Sequence, residues 1–375
     1  MPQAAPTPLF PATYAEARAA WLAAVQRAGG RVHSERHPLP GPDGGPLWMD
    51  AAWFGDAAAR RVMAVACGTH GIEGYAGSAA QTAWLAAGGP GEPVADTAVL
   101  LVHAVNPWGF AWRQRGTEDN VDLNRNFRNH DLAPPANPGY DELHPHLMLA
   151  CWDDADIARA FAAMDAYRER AGEQAFSNAF NGGQYRHPDG IFFGGTQPGW
   201  SNTALRSLLR RHLDRARVCL FIDLHTGIGP YGQPFMINVD PPQSPARAMA
   251  LAVWGADALS GKGCTHQALA SFQGLLLDAF ADEVPHCRVC AVAVEFGTHE
   301  RRRMQRAHLA LMWLRRQAGE TPATRAARAE YDEAFMPADP GWRDAVLRSG
   351  AAVCAQGWAA LTAGRLDAFM PQERA

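Results

Sequence analysis

Lysine is almost missing from this 375-residue chain. Lys262 is the only one, and the other 33 of its 34 basic residues are arginine. Schiff-base chemistry would therefore depend on Lys262 alone. Charge excess of one sign is also lacking. The 34 basic and 38 acidic residues leave a net charge of −4, so there is no global basic field to hold nucleic acid. Cysteine is sparse, with seven residues, an odd number far from disulfide density. Cys287 and Cys290 form a CxxC with no second pair at short spacing, which argues against a four-cysteine zinc knot. Cys290 is expected to enter a buried strand, with Cys287 just before it. No run reaches about 18 uninterrupted apolar residues, so no membrane span is expected. Residues 15–30 are interrupted by Glu16, Arg18 and Arg27 and have no positive flank before them. They do not read as a signal peptide, and a cytoplasmic location is the expectation.

What is present is a globular composition, 47% apolar and 19% charged, which excludes disorder for most of the chain. Residues 14–27 read as an amphipathic helix ended by Gly29 and Gly30. Short apolar runs predict strands at 47–54, 62–67, 98–104, 218–224 and 290–296. Helical patterns fall at 74–87, 153–171, 203–216, 246–259 and 300–317, the last with an Arg-rich exposed face. The alternation predicts an α/β fold with a mixed, mainly parallel central sheet and helices on both faces. In such sheets ligands sit beyond the carboxyl ends of strands. Residues 129–145 and 181–201 read as long loops rich in Gly, Pro, Asn and His, a common setting for function. The expected division is a catalytic domain over 1–319 and a helical, Ala/Arg-rich C-terminal appendage over 320–375, packed on it.

Polar residues cluster where apolar strands end. After 62–67 come Gly68-Thr69-His70-Gly71-Ile72-Glu73-Gly74, and a His and a Glu three apart in a glycine-rich turn can point at one centre. After 218–222, Asp223-Leu224-His225-Thr226-Gly227 repeats the pattern. Two His and one Glu make the His₂Glu set of catalytic zinc sites. Asp223, two residues before His225, shares its face of an extended chain and suits an imidazole N–H. Glu295 interrupts the apolar run Val292-Ala293-Val294-Glu295-Phe296. A carboxylate there either faces a metal-activated water, as general base and later proton donor, or has an arginine partner. Trp112-Arg113-Gln114-Arg115 and Val121-Asp122-Leu123-Asn124-Arg125-Asn126-Phe127 supply arginines suited to an oxyanion or to a substrate carboxylate.

In this order, GTHGIEG, NPWGFAWRQRGTEDNVDLNRNF, DLHTG and VEFGT resemble the motifs of the zinc carboxypeptidase superfamily, over residues 45–315. The likeness is strongest to a bacterial branch of uncharacterised carboxypeptidase-like hydrolases. It extends more distantly to the succinylglutamate desuccinylase and aspartoacylase group. The resemblance implies one zinc ion per chain, held by His70, Glu73 and His225, and a mixed sheet of about eight strands. It implies Glu295 as the catalytic glutamate, Arg113 as the arginine that polarises the scissile carbonyl, and Asn124 with Arg125 as the carboxylate-binding pair. Peptidases of this kind often place a tyrosine over the substrate, and here Tyr185 and Tyr231 are both candidates.

The expected activity is zinc-dependent hydrolysis of an amide or peptide bond next to a free carboxylate, on a small peptide or an acylated amino acid. Two alternatives stay open: a small-molecule amidase or N-acyl amino acid deacylase of aspartoacylase type, and a non-catalytic binding protein that retained the fold. No nucleic acid and no membrane is expected as a partner.

Overall fold

The computed structural model describes residues 10–259 and 270–371; Lys262 lies outside the described residues. Among those described, seven strands form one sheet: β1 (Arg31–Pro40), β2 (Pro46–Gly55), β3 (Arg61–Cys67), β4 (Thr97–His103), β5 (Val218–Gly227), β6 (Pro234–Ile237) and β7 (Arg288–Gly297). Their order is β1-β2-β4-β3-β5-β7-β6. The central four, β4, β3, β5 and β7, are parallel, while β1, β2 and β6 join antiparallel at the edges. The sheet thus has seven described strands where the resemblance implied about eight. β1 carries no unbroken apolar run and β6 only the short Phe235-Met236-Ile237, so composition alone did not mark them.

Both faces of the parallel strands are buried, and the period-2 alternation of side chains sorts them. Met63, Val65, Leu220, Ile222, Val292 and Val294 face one core, with helices Tyr14–Arg27, Gly74–Ala86 and Pro340–Thr362. Val62, Ala64, Cys219, Phe221, Val289 and Ala291 face the other, with helices Trp200–His212 and Leu276–Glu283. Cys287 and Cys290 are buried, and desolvation pushes their thiols up, Cys287 to about 12. That is packing chemistry rather than redox chemistry.

Three helical boundaries depart from the sequence pattern. The helix expected at 203–216 runs Trp200–His212. The one expected at 246–259 is split, because Gly255 adopts φ +81 between Pro245–Trp254 and Ala256–Leu259. The segment 129–145, expected as loop, contains helix Pro138–Leu147, started by an Asn137 cap and Pro138 in its first turn.

The chain after Gly319 shares the core. Helix Pro322–Phe335 packs on helix Arg301–Leu314, and Pro340–Thr362 lies along Gly74–Ala86. Trp342, Val346, Val353 and Leu361 are buried in the first core, and Trp342 Nε1 donates to Gly297 O at 2.8 Å. No helix of the described residues is long and apolar enough to cross a membrane.

Candidate metal centre and substrate cavity

β3 ends at Cys67, and the chain turns through His70 into a short 3-10 turn, Gly71–Glu73. A neighbouring turn buttresses it: Gly71 N donates to Arg115 O at 3.0 Å and Ile72 N to Gln114 O at 3.1 Å. A methyl group at position 71 would overlap the backbone of Gly109 and Phe110, so the residue that follows His70 must be glycine. β5 brings His225 to the same end of the sheet. Its parallel neighbour β7 pairs His225 with Glu295 in register, and both lie on the Cys219/Phe221 side.

The three groups converge. One donor atom each from His70, Glu73 and His225 lies within 4.8 Å of the others, and all three residues are buried. Glu73 Oε1 is 3.0 Å from His70 Nδ1, and Glu73 Oε2 is 3.0 Å from His225 Nδ1. The far ring nitrogens also have partners: His225 Nε2 meets Asp223 Oδ2 at 2.7 Å, and His70 Nε2 lies 2.8 Å from Arg115 Nη2 and 3.2 Å from Asp122 Oδ1. Thr69 Oγ1 donates to Asp223 Oδ1 at 2.8 Å. Each imidazole is thereby oriented with Nδ1 inward, the arrangement by which outer carboxylates fix metal-binding histidines. The donor set, two imidazoles and a carboxylate on a buried face, fits a zinc ion with a position left open.

Charge couples the cluster tightly. Burial opposes ionisation of Glu73, but His70, His225 and Arg115 outweigh it and hold this carboxyl far below the usual range. Burial also opposes ionisation of Asp122, and Arg115 and His70 overcome it. For His225 burial opposes the charge, and Asp223 and Glu73 push the imidazole well above its usual range. Glu295 behaves differently: desolvation, against the opposing charge of His225, raises its carboxyl, and its Oε2 accepts from Ile228 N at 3.3 Å.

A cavity of about 580 Å³ opens over this cluster. His70, Arg115, Asn124, Arg125, His225 and Glu295 line it on the polar side, and Phe180, Phe272, Leu275, Leu277 and Ile237 on the apolar side. Asn124 Oδ1 accepts from Leu276 N at 2.9 Å, which leaves its Nδ2 to donate. Arg125 is buried between the rings of Phe192 and Phe272, its Cζ 5.5 and 4.7 Å from their centroids. Its guanidinium donates to the carbonyls of Asn124 and Asn181, its Nε has no partner, and it makes no ion pair among the described residues. Gly183, at φ +91, is the close neighbour that makes room, because a Cβ there would overlap the Arg125 side chain.

Arg113 stands elsewhere. Its backbone is left-handed at φ +49, and its side chain turns from the cluster to Asp332 Oδ2 at 2.8 Å, Ala12 O at 2.9 Å and the ring of Tyr75. Arg115, two residues on, occupies the place beside the candidate metal ligands. Its Nη1 is 3.0 Å from Glu73 Oε1 and its Nε 2.9 Å from Asp122 Oδ2. Of the two tyrosines, Tyr231 lines the cavity mouth and its hydroxyl lies 3.2 Å from Asp339 Oδ2. Tyr185 lies behind the wall, its hydroxyl donating to Arg125 O at 2.7 Å, so it supports the arginine rather than facing a ligand. Arg115 and Asp122 are the residues that sequence reasoning did not single out. Both stand inside the quoted motif, and only their contacts separate them from their neighbours.

The sequence matches, over residues 10–349, the family model described as "Protein of unknown function (DUF2817)". No curated protein matches it. Similar solved structures include a carboxypeptidase A from Helicoverpa armigera, 14% identical, covering 93% of this chain and 73% of that chain with a TM-score of 0.39. Another is a succinylglutamate desuccinylase from Silicibacter sp. TM1040, 14% identical over 80% and 67% of the two chains, TM-score 0.36. A murein-tripeptide amidase from Escherichia coli O157 is 17% identical over 77% and 93%, TM-score 0.34. With the model matched along most of its length, the chain belongs to the DUF2817 family.

Proposed function

We propose that this protein is a zinc-dependent hydrolase that cleaves an amide or peptide bond next to a free carboxylate. One observation carries the reading. The donor atoms of His70, Glu73 and His225 converge in a cavity that also presents Glu295 and an arginine, Arg125, with no acidic partner among the described residues. A zinc ion bound by the three ligands would act as a Lewis acid toward water and the scissile carbonyl.

The chain's own groups supply the rest. Glu295, made more basic by burial, accepts the proton of the attacking water and passes it to the leaving nitrogen. Arg115 donates to the carbonyl oxygen as negative charge builds on it, the part the resemblance assigned to Arg113. Arg125 and the free Nδ2 of Asn124 hold the substrate carboxylate. Tyr231, at the mouth, contacts the distal part of a substrate.

A second reading is an N-acyl amino acid deacylase. A cavity of about 580 Å³ admits an amino acid with a small acyl group as well as a short peptide. The experiment has two arms. Metal analysis of the purified protein is expected to give close to one zinc per chain; roughly 0.2 or less, unrestored by added zinc, would count against the enzyme reading. Assay of dipeptides and tripeptides beside N-acyl amino acids then separates the two substrate classes. Hydrolysis of acyl amino acids alone would sink the peptidase version.

A further inference from the structure

Helix Arg301–Leu314 turns Met304, Gln305 and His308 toward the cavity. His308 is the unusual one. It is 8% exposed, and it makes no hydrogen bond among the described residues. Rings surround it: Phe192 at 4.7 Å between centroids, Phe335 at 5.4 Å and Phe180 at 6.4 Å. Burial, then the nearby Arg115 charge, push the imidazole down to about 3, so it is neutral at physiological pH and offers one donor and one acceptor. A buried polar group among phenyl rings is costly unless something pairs with it.

The cavity supplies the place for that something. Arg125 and His308 lie against the same ring, Phe192; Arg125 keeps its Nε unpaired, and His308 lines the cavity with no hydrogen bond among the described residues. Phe192 itself is held at φ +53, a conformation that a bulky residue adopts only where its surroundings impose it. One small molecule can therefore engage both side chains across that ring. Arg125 calls for a carboxylate, and His308 for an amide or hydroxyl.

We propose that His308 is a specificity-determining residue that hydrogen-bonds a polar group of a ligand whose carboxylate is held by Arg125. This rests on the carboxylate role given to Arg125 above. The ligand class that follows is an amino-acid-sized carboxylate bearing an amide, rather than a plain carboxylic acid. A site built to pair a polar group discriminates against the analogue lacking it, because its own group is then left unpaired.

The test uses two probes that share the 4-methylpentanoate chain, N-acetyl-L-leucine and 4-methylpentanoate itself, which lacks the whole acetamido group. Their dissociation constants are measured by calorimetry on the full-length protein. The wild type is expected to favour N-acetyl-L-leucine by roughly tenfold. His308→Phe should remove that preference and leave 4-methylpentanoate binding unchanged; His308→Gln, which keeps a donor and an acceptor, should retain part of it. Arg125→Met should weaken both probes. A preference unchanged in both His308 variants, with Arg125→Met still weakening both probes, overturns the role of His308 and leaves that of Arg125 standing. Wild-type protein that binds neither probe, or an Arg125→Met variant that binds both normally, overturns the carboxylate site and the inference together.

Discussion

Arg115 Nη1 lies 3.0 Å from Glu73 Oε1, so a buried guanidinium stands directly beside the candidate metal ligands. Arg113, in the same turn, points the other way into an ion pair with Asp332. The two arginines should therefore fail differently. Arg115→Met is expected to lower turnover by about 10²-fold or more, the usual cost of removing an oxyanion donor. Arg113→Met should leave turnover within several-fold and lower stability by about 1 kcal/mol, because its ion pair is partly solvated. Kinetics and urea unfolding on the two variants check this, and equal turnover losses would be against it.

Glu295→Gln keeps the shape of the side chain and removes its basicity. Zinc content should stay at the wild-type level, because Glu295 is not among the three converging donors. Turnover should fall by roughly 10²–10⁴-fold. Full activity in this variant would take Glu295 out of the mechanism.

Asp223 accepts from His225 Nε2 at 2.7 Å and so sets which ring nitrogen faces the cluster. Asp223→Asn is expected to weaken zinc binding by about 10- to 100-fold. Equilibrium dialysis measures it. Wild-type affinity would mean that β5 orients the ring without this hydrogen bond.

Metal binding should also be proton-linked. In the metal-free protein Asp223 and Glu73 overcome the burial penalty and raise the His225 pKa. Its Nδ1 proton must leave when a metal binds. Affinity should rise by about tenfold per pH unit while His225 remains protonated in the metal-free state. The same shift contributes stability to the metal-free protein below the ordinary imidazole range, lost as pH rises through the raised value. Glu73 has the opposite sign: its lowered pKa contributes stability above the ordinary carboxyl range, lost on acidification. Proton release is read by calorimetry in buffers of different ionisation enthalpy, and a value near zero would contradict the linkage.

Trp342, 1% exposed, ties the last long helix to Gly297 at the end of β7. Trp342→Ala should cost about 3–5 kcal/mol, as for other large core truncations. A chain stopped after Gly319 would lose one of the three helices that cover one face of the sheet and should not fold. Urea unfolding of the first and circular dichroism of the second are the measurements. A stable, folded 1–319 fragment would show that the tail is dispensable.

Much of the fold was legible because buried parallel strands are continuous apolar runs. The predicted strand at 62–67 and the observed Arg61–Cys67 differ by one residue. The edge strands β1 and β6 were not legible, since β1 is half-exposed with no such run and β6 is only four residues long. How deeply the segment after Gly319 packs on the rest was hard to read for a related reason. Its buried Trp342, Val346 and Val353 are diluted by alanine and arginine, and burial of such a helix is visible only against its partner.

By itself the sequence determined the chemistry at the strand ends: His70, Glu73, Asp223, His225 and Glu295 follow or interrupt apolar strands, and alternation puts Asp223 and His225 on one face. Tertiary structure decided which arginine stands beside the His70, Glu73 and His225 cluster, that Tyr185 backs Arg125 instead of facing the cavity, and that His308 reaches it from a helix some 80 residues after His225. The physical reason is the range of each signal. Strand periodicity acts over neighbouring residues and can be read in a line. A left-handed turn at Arg113, or the register that sets His225 beside Glu295, depends on contacts between distant segments.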